Sequence, residues 1–220
     1  MTGFQRFAVY FTAPGSELAK RGATWLGWDI ATGKPVPQPR ILEEATQTPR
    51  RYGFHGTLKP PFVLADGYSA HDLARETRAL ARTLTPFEVP ALNVSTLGSF
   101  LALTTDDTAD LRQLASACVT ELDQFRAPPS ESELARRRAR PLSLAQDALL
   151  RRWGYPYVGE EFRFHMTLTG RLKEDERQTL MDRAQIHFSG LTGPQPIVAI
   201  TLCGEKSDGR FQALEVIPLG

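Results

Sequence analysis

Residues 53–60 read Gly53-Phe54-His55-Gly56-Thr57-Leu58-Lys59-Pro60, and residues 162–169 read Phe162-Arg163-Phe164-His165-Met166-Thr167-Leu168-Thr169. Phe-His-x-Thr-Leu stands in both. Each stretch alternates polar and apolar residues with the period of a β-strand, so alternate side chains share a face. In the first copy His55, Thr57 and Lys59 are expected to point one way, with Phe54 and Leu58 opposite. In the second, Arg163, His165, Thr167 and Thr169 form the polar face, and Phe162, Phe164, Met166 and Leu168 the apolar one. A core strand gains nothing from presenting imidazole and hydroxyl side by side. A phrase that does so twice implies one cleft with two polar walls.

The chain around the two strands repeats as well. Residues 6–12 read as a strand with Phe7, Val9 and Phe11 on one face. Pro14-Gly15 ends it, and Ser16 caps a helix running to about Leu26. A proline-rich loop leads to the first His strand. Ser69 and Asp72 resemble a capping box ahead of a helix with Leu73, Ala74, Thr77, Leu80, Ala81 and Leu84 inward. Strands over about 87–97 and 99–105 follow. The order then restarts, with a helix over 108–125, the second His strand, a helix over 174–188, and strands near 196–204 and 210–217. Each half reads strand, helix, long connection, His strand, helix, strand, strand, a period too long for a solenoid. The expected class is α+β: a single bilobal domain of two pseudo-symmetric βαβαββ-type lobes, with antiparallel sheets lining a central cleft. Lobe one spans about 1–98 and lobe two about 99–220. An insertion at about 126–159 holds the basic run Arg136, Arg137, Arg138 and Arg140, and a helix from about Leu142 to Trp153 stopped by Gly154.

The totals bound the rest. The chain has 220 residues, 41% apolar and 23% charged, with a net charge of +1. Such a length buries roughly 70% of the unfolded surface without staples, and the charge supplies no overall pull toward nucleic acid or membrane. Two cysteines, Cys118 and Cys203, make neither a disulfide framework nor a metal pattern, which suits a reducing compartment. With no signal-like run and no stretch near the ~18 apolar residues of a membrane span, a cytoplasmic protein is expected.

At its two motifs the sequence resembles the 2H phosphoesterase superfamily, whose members carry two H-x-T/S motifs: His55-Gly56-Thr57 and His165-Met166-Thr167 match, and the repeat covers essentially the whole chain. More narrowly it looks like the 2H-like (DUF1045-type) family encoded beside phosphonate-degradation genes. Arg50-Arg-Tyr-Gly-Phe-His-Gly-Thr-Leu-Lys59, Phe125-Arg-Ala-Pro, Ala135-Arg-Arg-Arg138, Arg152-Trp-Gly-Tyr-Pro-Tyr-Val158 and Phe162-Arg-Phe-His-Met-Thr-Leu-Thr-Gly170 carry that likeness. The resemblance implies a 2H fold and cyclic phosphodiester chemistry.

Opening a cyclic phosphodiester needs a base for the water, an acid for the departing oxygen and donors for the phosphoryl charge. Histidine, with a pKa near 6.5, serves either proton role at neutral pH. His55 and His165 are therefore the catalytic candidates, with acid and base not distinguished. Thr57 and Thr167, two residues on and on the same face, are candidate donors to non-bridging oxygens. Lys59 shares the face of His55 and is a candidate phosphate ligand. Tyr10, facing away from Phe7, Val9 and Phe11, is a candidate substrate contact. Arg51 and Arg163 have the right parity but lie far from their threonines. The Arg136–Arg140 run reads as a solvated helix face, or as a clamp for a second phosphate. Tyr155 and Tyr157 read as a base-stacking pair or as loop packing. His71 and His187 receive no role.

No cofactor and no metal is expected, because two His without a same-strand carboxylate or Cys make a poor zinc site. The resulting expectation is a metal-independent 2H-type cyclic phosphodiesterase, a hydrolase acting on a small phosphorylated-sugar cyclic phosphate in phosphonate metabolism. Beside it stands an RNA or nucleotide 2′,3′-cyclic phosphodiesterase or 2′-5′ ligase-like activity. The alternative from another class is a non-catalytic nucleotide- or RNA-binding module. Expected partners are a small phosphate ester, or an RNA end or nucleotide; no membrane contact and a monomeric state are expected.

Overall fold

The computed structural model describes residues 3–139, 141–191 and 193–220. Strand β1 (Phe7–Phe11) leads to helix α1 (Glu17–Leu26), whose cap Ser16 accepts from the Ala19 N–H and whose C-terminal Gly27 sits at φ 74°. The proline-rich segment, expected as loop, holds a short hairpin of β2 (Trp28–Asp29) and β3 (Lys34–Pro35) and one turn of helix, α2 (Gln47–Arg50). Strand β4 (Gly56–Phe62) carries the first motif. Helix α3 (Ala70–Ala81) begins at the Ser69–Asp72 capping box, both halves of which form.

The stretch expected as one strand over 87–97 is two, β5 (Phe87–Val89) and β6 (Asn93–Leu97), parted at Pro90, which has no N–H for a ladder. Strand β7 (Phe100–Thr104) and helix α4 (Ala109–Thr120) follow; α4 gives way to a 3-10 turn at Asp123–Phe125 instead of continuing to 125. The insertion contains α5 (Glu131–Arg138) and α6 (Leu144–Trp153), the latter closed by Gly154 at φ 69°. Strand β8 (His165–Thr167), helix α7 (Glu174–His187), and strands β9 (Gln195–Ile197), β10 (Ala199–Glu205) and β11 (Phe211–Pro218) complete the chain.

Seven strands form one sheet in the order β11-β10-β1-β4-β8-β7-β6, every neighbour antiparallel. The His strands β4 and β8 are its centre. Outward from them run β1 and β10 on one side, β7 and β6 on the other. The halves exchange strands: β6 of the first pairs with β7 of the second, and β10 of the second with β1 of the first. The small β5–β9 pair obeys the same exchange. The expected pseudo-symmetry is thus present, with its axis between the two motifs.

One face of the sheet is packed by helices. Phe7, Val9, Phe11, Leu58, Met166 and Leu168 join the apolar sides of α1, α3, α4 and α7 in a single core cluster. On the other face Ala8, Tyr10, Cys203 and Phe211 pack with Ile30, next to the β2–β3 hairpin. The indole N–H groups of Trp25 and Trp28 donate to Leu168 O and Phe211 O, both at 2.9 Å, tying the first half to the second. Among the described residues no helix is long and apolar enough to cross a membrane.

Candidate active site

Strands β4 and β8 meet at one residue pair, Gly56 opposite Met166, the middle residues of the two motifs. Antiparallel register then sets His55 opposite Thr167 and Thr57 opposite His165, all four on one face. Opposed residues on such strands have Cβ atoms about 5 Å apart, and diagonal neighbours, here the two imidazoles, about 7–8 Å.

The pairing goes no further, and cavities open on both flanks. One, of about 360 Å³, has Thr57 and His165 together with Phe100, Tyr155, Tyr157 and Phe162. The other, of about 270 Å³, has His55 and Thr167 with Thr48, Tyr52, Thr169 and Arg171.

The backbone fixes both rings. His55 Nδ1 lies 2.9 Å from Gly53 O, and His165 Nδ1 lies 2.8 Å from Arg163 O. A carbonyl oxygen has no proton to give, so each Nδ1 carries the hydrogen, and in the neutral ring Nε2 keeps its lone pair. His55 Nε2 lies 3.1 Å from Thr57 Oγ1, whose hydroxyl donates to it. Gly53 makes its carbonyl available by adopting φ 74°, and a Cβ there would lie 2.7 Å from Ile30. Burial pushes His55 down to about 4; the Gly53 bond opposes this and the nearby His165 adds to it. His55 is therefore a neutral ring at pH 7.

Two expected contacts are corrected. Lys59 does not share the His face. The β1–β4 register slips between Tyr10↔Thr57 and Val9↔Lys59, a bulge that leaves Leu58 as an extra residue and reverses the parity beyond it. Lys59 is 1% exposed, and its Nζ donates to Val119 O at 2.9 Å at the end of α4, with Asp123 at 3.9 Å. Desolvation lowers its pKa to about 8.

Tyr10 does face away from Phe7 and Val9, but it lines no open cleft. It is fully buried, and its ring stacks on that of His55. It supports the imidazole from behind.

The insertion's basic run is largely paired. Arg137 contacts Glu133 and lies over Tyr155, Arg138 pairs with Asp147, and the exposed Arg136 is 3.9 Å from Glu133; Arg140 lies outside the described residues. Arg163 reaches the first cavity, but its Nη1 donates to Glu160 O and Phe162 O. His187 Nε2 donates to Arg21 O, a structural tie. Sequence reasoning passed over Tyr52, Thr48 and Arg171. Only the spacing of Arg171 from Thr167 and Thr169 on one parity hinted at its place.

The fold is that of a two-repeat α+β protein with one His-x-Thr motif on each of two adjoining central strands. Residues 57–212 match the family model described as a protein of unknown function (DUF1045), and the chain belongs to that family.

Among curated proteins it is 40% identical over 218 residues to the ribose 1,5-bisphosphate phosphokinase PhnN of Janthinobacterium sp. (strain Marseille), covering 93% of this chain and 48% of the relative. It is 36% identical over 211 residues to the protein of that name from Laribacter hongkongensis (strain HLHK9), covering 93% and 49%. The chain thus spans about half the length of the curated relatives it matches. Solved structures that resemble it include a phosphoesterase (15% identity, 98% of both chains, TM-score 0.48) and E. coli LigT with phosphate (13%, 99% of both, TM-score 0.47).

Proposed function

We propose that the chain is a metal-independent cyclic phosphodiesterase that hydrolyses a cyclic phosphate of a small phosphorylated sugar. The observation that carries the reading is the Gly56–Met166 pair, because it sets the two His-x-Thr motifs side by side on adjoining strands. Water attacks phosphorus as His55 Nε2 takes its proton; the ring P–O bond breaks, and the departing oxygen takes the proton from His165 Nε2–H. Thr57 and Thr167 donate to the non-bridging oxygens. In the free protein the Thr57 hydroxyl is spent on His55 Nε2. It turns to the phosphoryl oxygen as the incoming water occupies that lone pair. An anionic phosphoryl group between the rings also raises His55 from its resting value toward a useful base.

The relatives support the sugar. They are named for a kinase of ribose 1,5-bisphosphate, and half of their length lies outside the match. Opening a 5-phosphoribosyl 1,2-cyclic phosphate at the 2-oxygen yields ribose 1,5-bisphosphate, the compound in that name. The kinase activity itself is not assigned to this chain, which has no G-x-x-x-x-G-K-[ST] run to cradle nucleotide phosphates.

A second reading, a nucleotide or RNA-end 2′,3′-cyclic phosphate, is favoured by the aromatic wall of Phe100, Tyr155, Tyr157 and Phe162 beside His165. A panel of cyclic phosphates assayed in chelator tests both. Turnover of the phosphoribosyl ester, lost by about 10²–10⁴ in His55→Ala and in His165→Ala, is the expected result. Turnover of RNA ends alone selects the second reading. Binding without turnover of any ester makes the chain a binding module.

A further inference from the structure

Two arginines line the cavities beside the motifs, and they differ in what they do. Arg163, on the His165 side, spends its guanidinium on backbone carbonyls. Arg171, on the His55 side, is exposed, and among the described residues its side chain has no ion pair and no hydrogen bond. Its root is nevertheless rigid. The N–H groups of Gly170 and Leu172 donate to Ala45 O (2.6 Å) and Ser99 O (2.8 Å). The hydroxyl of Thr169 accepts from Leu101 N–H and donates to Gly170 O. A fixed backbone thus carries an uncommitted guanidinium at the rim of the cavity that holds His55 and Thr167. Among the described residues no carboxylate lines that cavity, and the hydroxyl of Thr48, which lines it with Arg171, also has no partner.

We propose that this cavity receives a second phosphoryl group of the substrate, held by Arg171 with the Thr48 hydroxyl. The protein then prefers cyclic phosphates carrying a further phosphate over those without one. The planar fork of arginine suits two oxygens of such a dianion, and the absence of acids leaves nothing to compete with it. The insertion's arginines, which the sequence offered for this task, already have partners in Glu133, Asp147 and Tyr155. The proposal rests on the hydrolytic reading above.

Its test compares kcat/KM for 5-phosphoribosyl 1,2-cyclic phosphate and ribose 1,2-cyclic phosphate in the wild type, Arg171→Ala, Arg171→Lys and Thr48→Val. The wild type is expected to prefer the doubly phosphorylated ester at least tenfold. Arg171→Ala reduces that preference at least tenfold, through KM rather than kcat, while Arg171→Lys retains part of it. Circular dichroism checks that each variant is folded. Calorimetric titration with ribose 1,5-bisphosphate and ribose 1-phosphate gives a readout independent of turnover, with a tenfold or greater loss in Arg171→Ala for the bisphosphate alone. If neither ester is hydrolysed but that difference in binding is present, the hydrolytic reading falls and the phosphate site stands. If hydrolysis proceeds without discrimination, or if Arg171→Ala keeps the preference, the site is overturned.

Discussion

The rings of Tyr10 and His55 are stacked, with centroids 3.8 Å apart and planes inclined by 27°. The tyrosine covers one face of the imidazole against water, and Tyr52 stands at 6.3 Å on its flank. Desolvation is the leading cause of His55's low value. Among the described residues the Tyr10 hydroxyl has no hydrogen-bond partner, and burial raises its pKa.

Two substitutions at Tyr10 therefore separate ring from hydroxyl. Tyr10→Phe keeps the stack and discards an unsatisfied donor, so His55 stays near about 4 and stability changes by less than about 1 kcal/mol. Tyr10→Leu admits water, and His55 moves up toward its ordinary ~6.5. Proton NMR titration of the His55 ring reads this directly. The acidic limb of kcat/KM shifts to higher pH in the leucine variant only. A limb that ignores both variants removes Tyr10 from any part in tuning the base.

The same depressed value makes folding depend on pH. Between about pH 6.5 and 4 the unfolded chain binds a proton at residue 55 that the folded chain excludes. The contribution of this group to stability is therefore complete above pH ~6.5 and is lost as pH falls from there through the folded value, by an amount on the order of 3 kcal/mol. Urea unfolding at pH 7.5 and 4.5 is expected to show a smaller loss for His55→Gln than for the wild type. Equal losses in the two proteins assign the acid sensitivity to other groups.

Much of this architecture was legible because strand parity is a hard geometric rule. Phe162, Phe164, Met166 and Leu168 are buried as their alternation required, and His55, Thr57, His165 and Thr167 converge. The Ser69–Asp72 cap formed because its two hydrogen bonds are local. Parity failed at Lys59, where one inserted residue turned the strand over just ahead of Pro60-Pro61. Tyr10 had the right direction, but its burial depends on Ile30, Cys203 and Phe211, which are remote in sequence. Nor did periodicity show that the two halves trade strands, because the alternation in β6 and β10 names a face and not a neighbour.

The position of Lys59 gives its own expectation. Its ammonium satisfies Val119 O at the C-terminal end of α4, where a positive charge suits the helix dipole, and it approaches Asp123, which Arg126 also holds at 2.8 Å. Lys59→Ala leaves a void and an unpaired carbonyl and is expected to cost about 2–4 kcal/mol. Lys59→Met fills the space with an apolar chain of similar length and costs about 1 kcal/mol, since Asp123 keeps its other partner. Guanidinium unfolding measures both. A folded Lys59→Met enzyme with KM raised tenfold and an unchanged unfolding midpoint restores the lysine as a phosphate ligand.

Gly56 carries the most specific steric demand in the site. It sits between His55 and Thr57, opposite Met166, and a Cβ on it would lie 2.4 Å from the ring of Phe164. That ring is buried in the core and directly precedes His165, so it cannot retreat without moving the second motif. An alanine at 56 must push either β4 from β8 or Phe164 from its place, and both movements separate the imidazoles. Overpacking of this kind costs about 1–3 kcal/mol, while a displacement near 1 Å in a positioned pair costs about 10²-fold in rate. Gly56→Ala is therefore expected to lose far more turnover than stability, through kcat rather than KM. A paired change, Gly56→Ala with Phe164→Leu, removes the colliding ring edge and should recover part of the lost rate. If the double variant is no faster than the single one, the close approach of Gly56 to Phe164 is not what holds the two motifs in register.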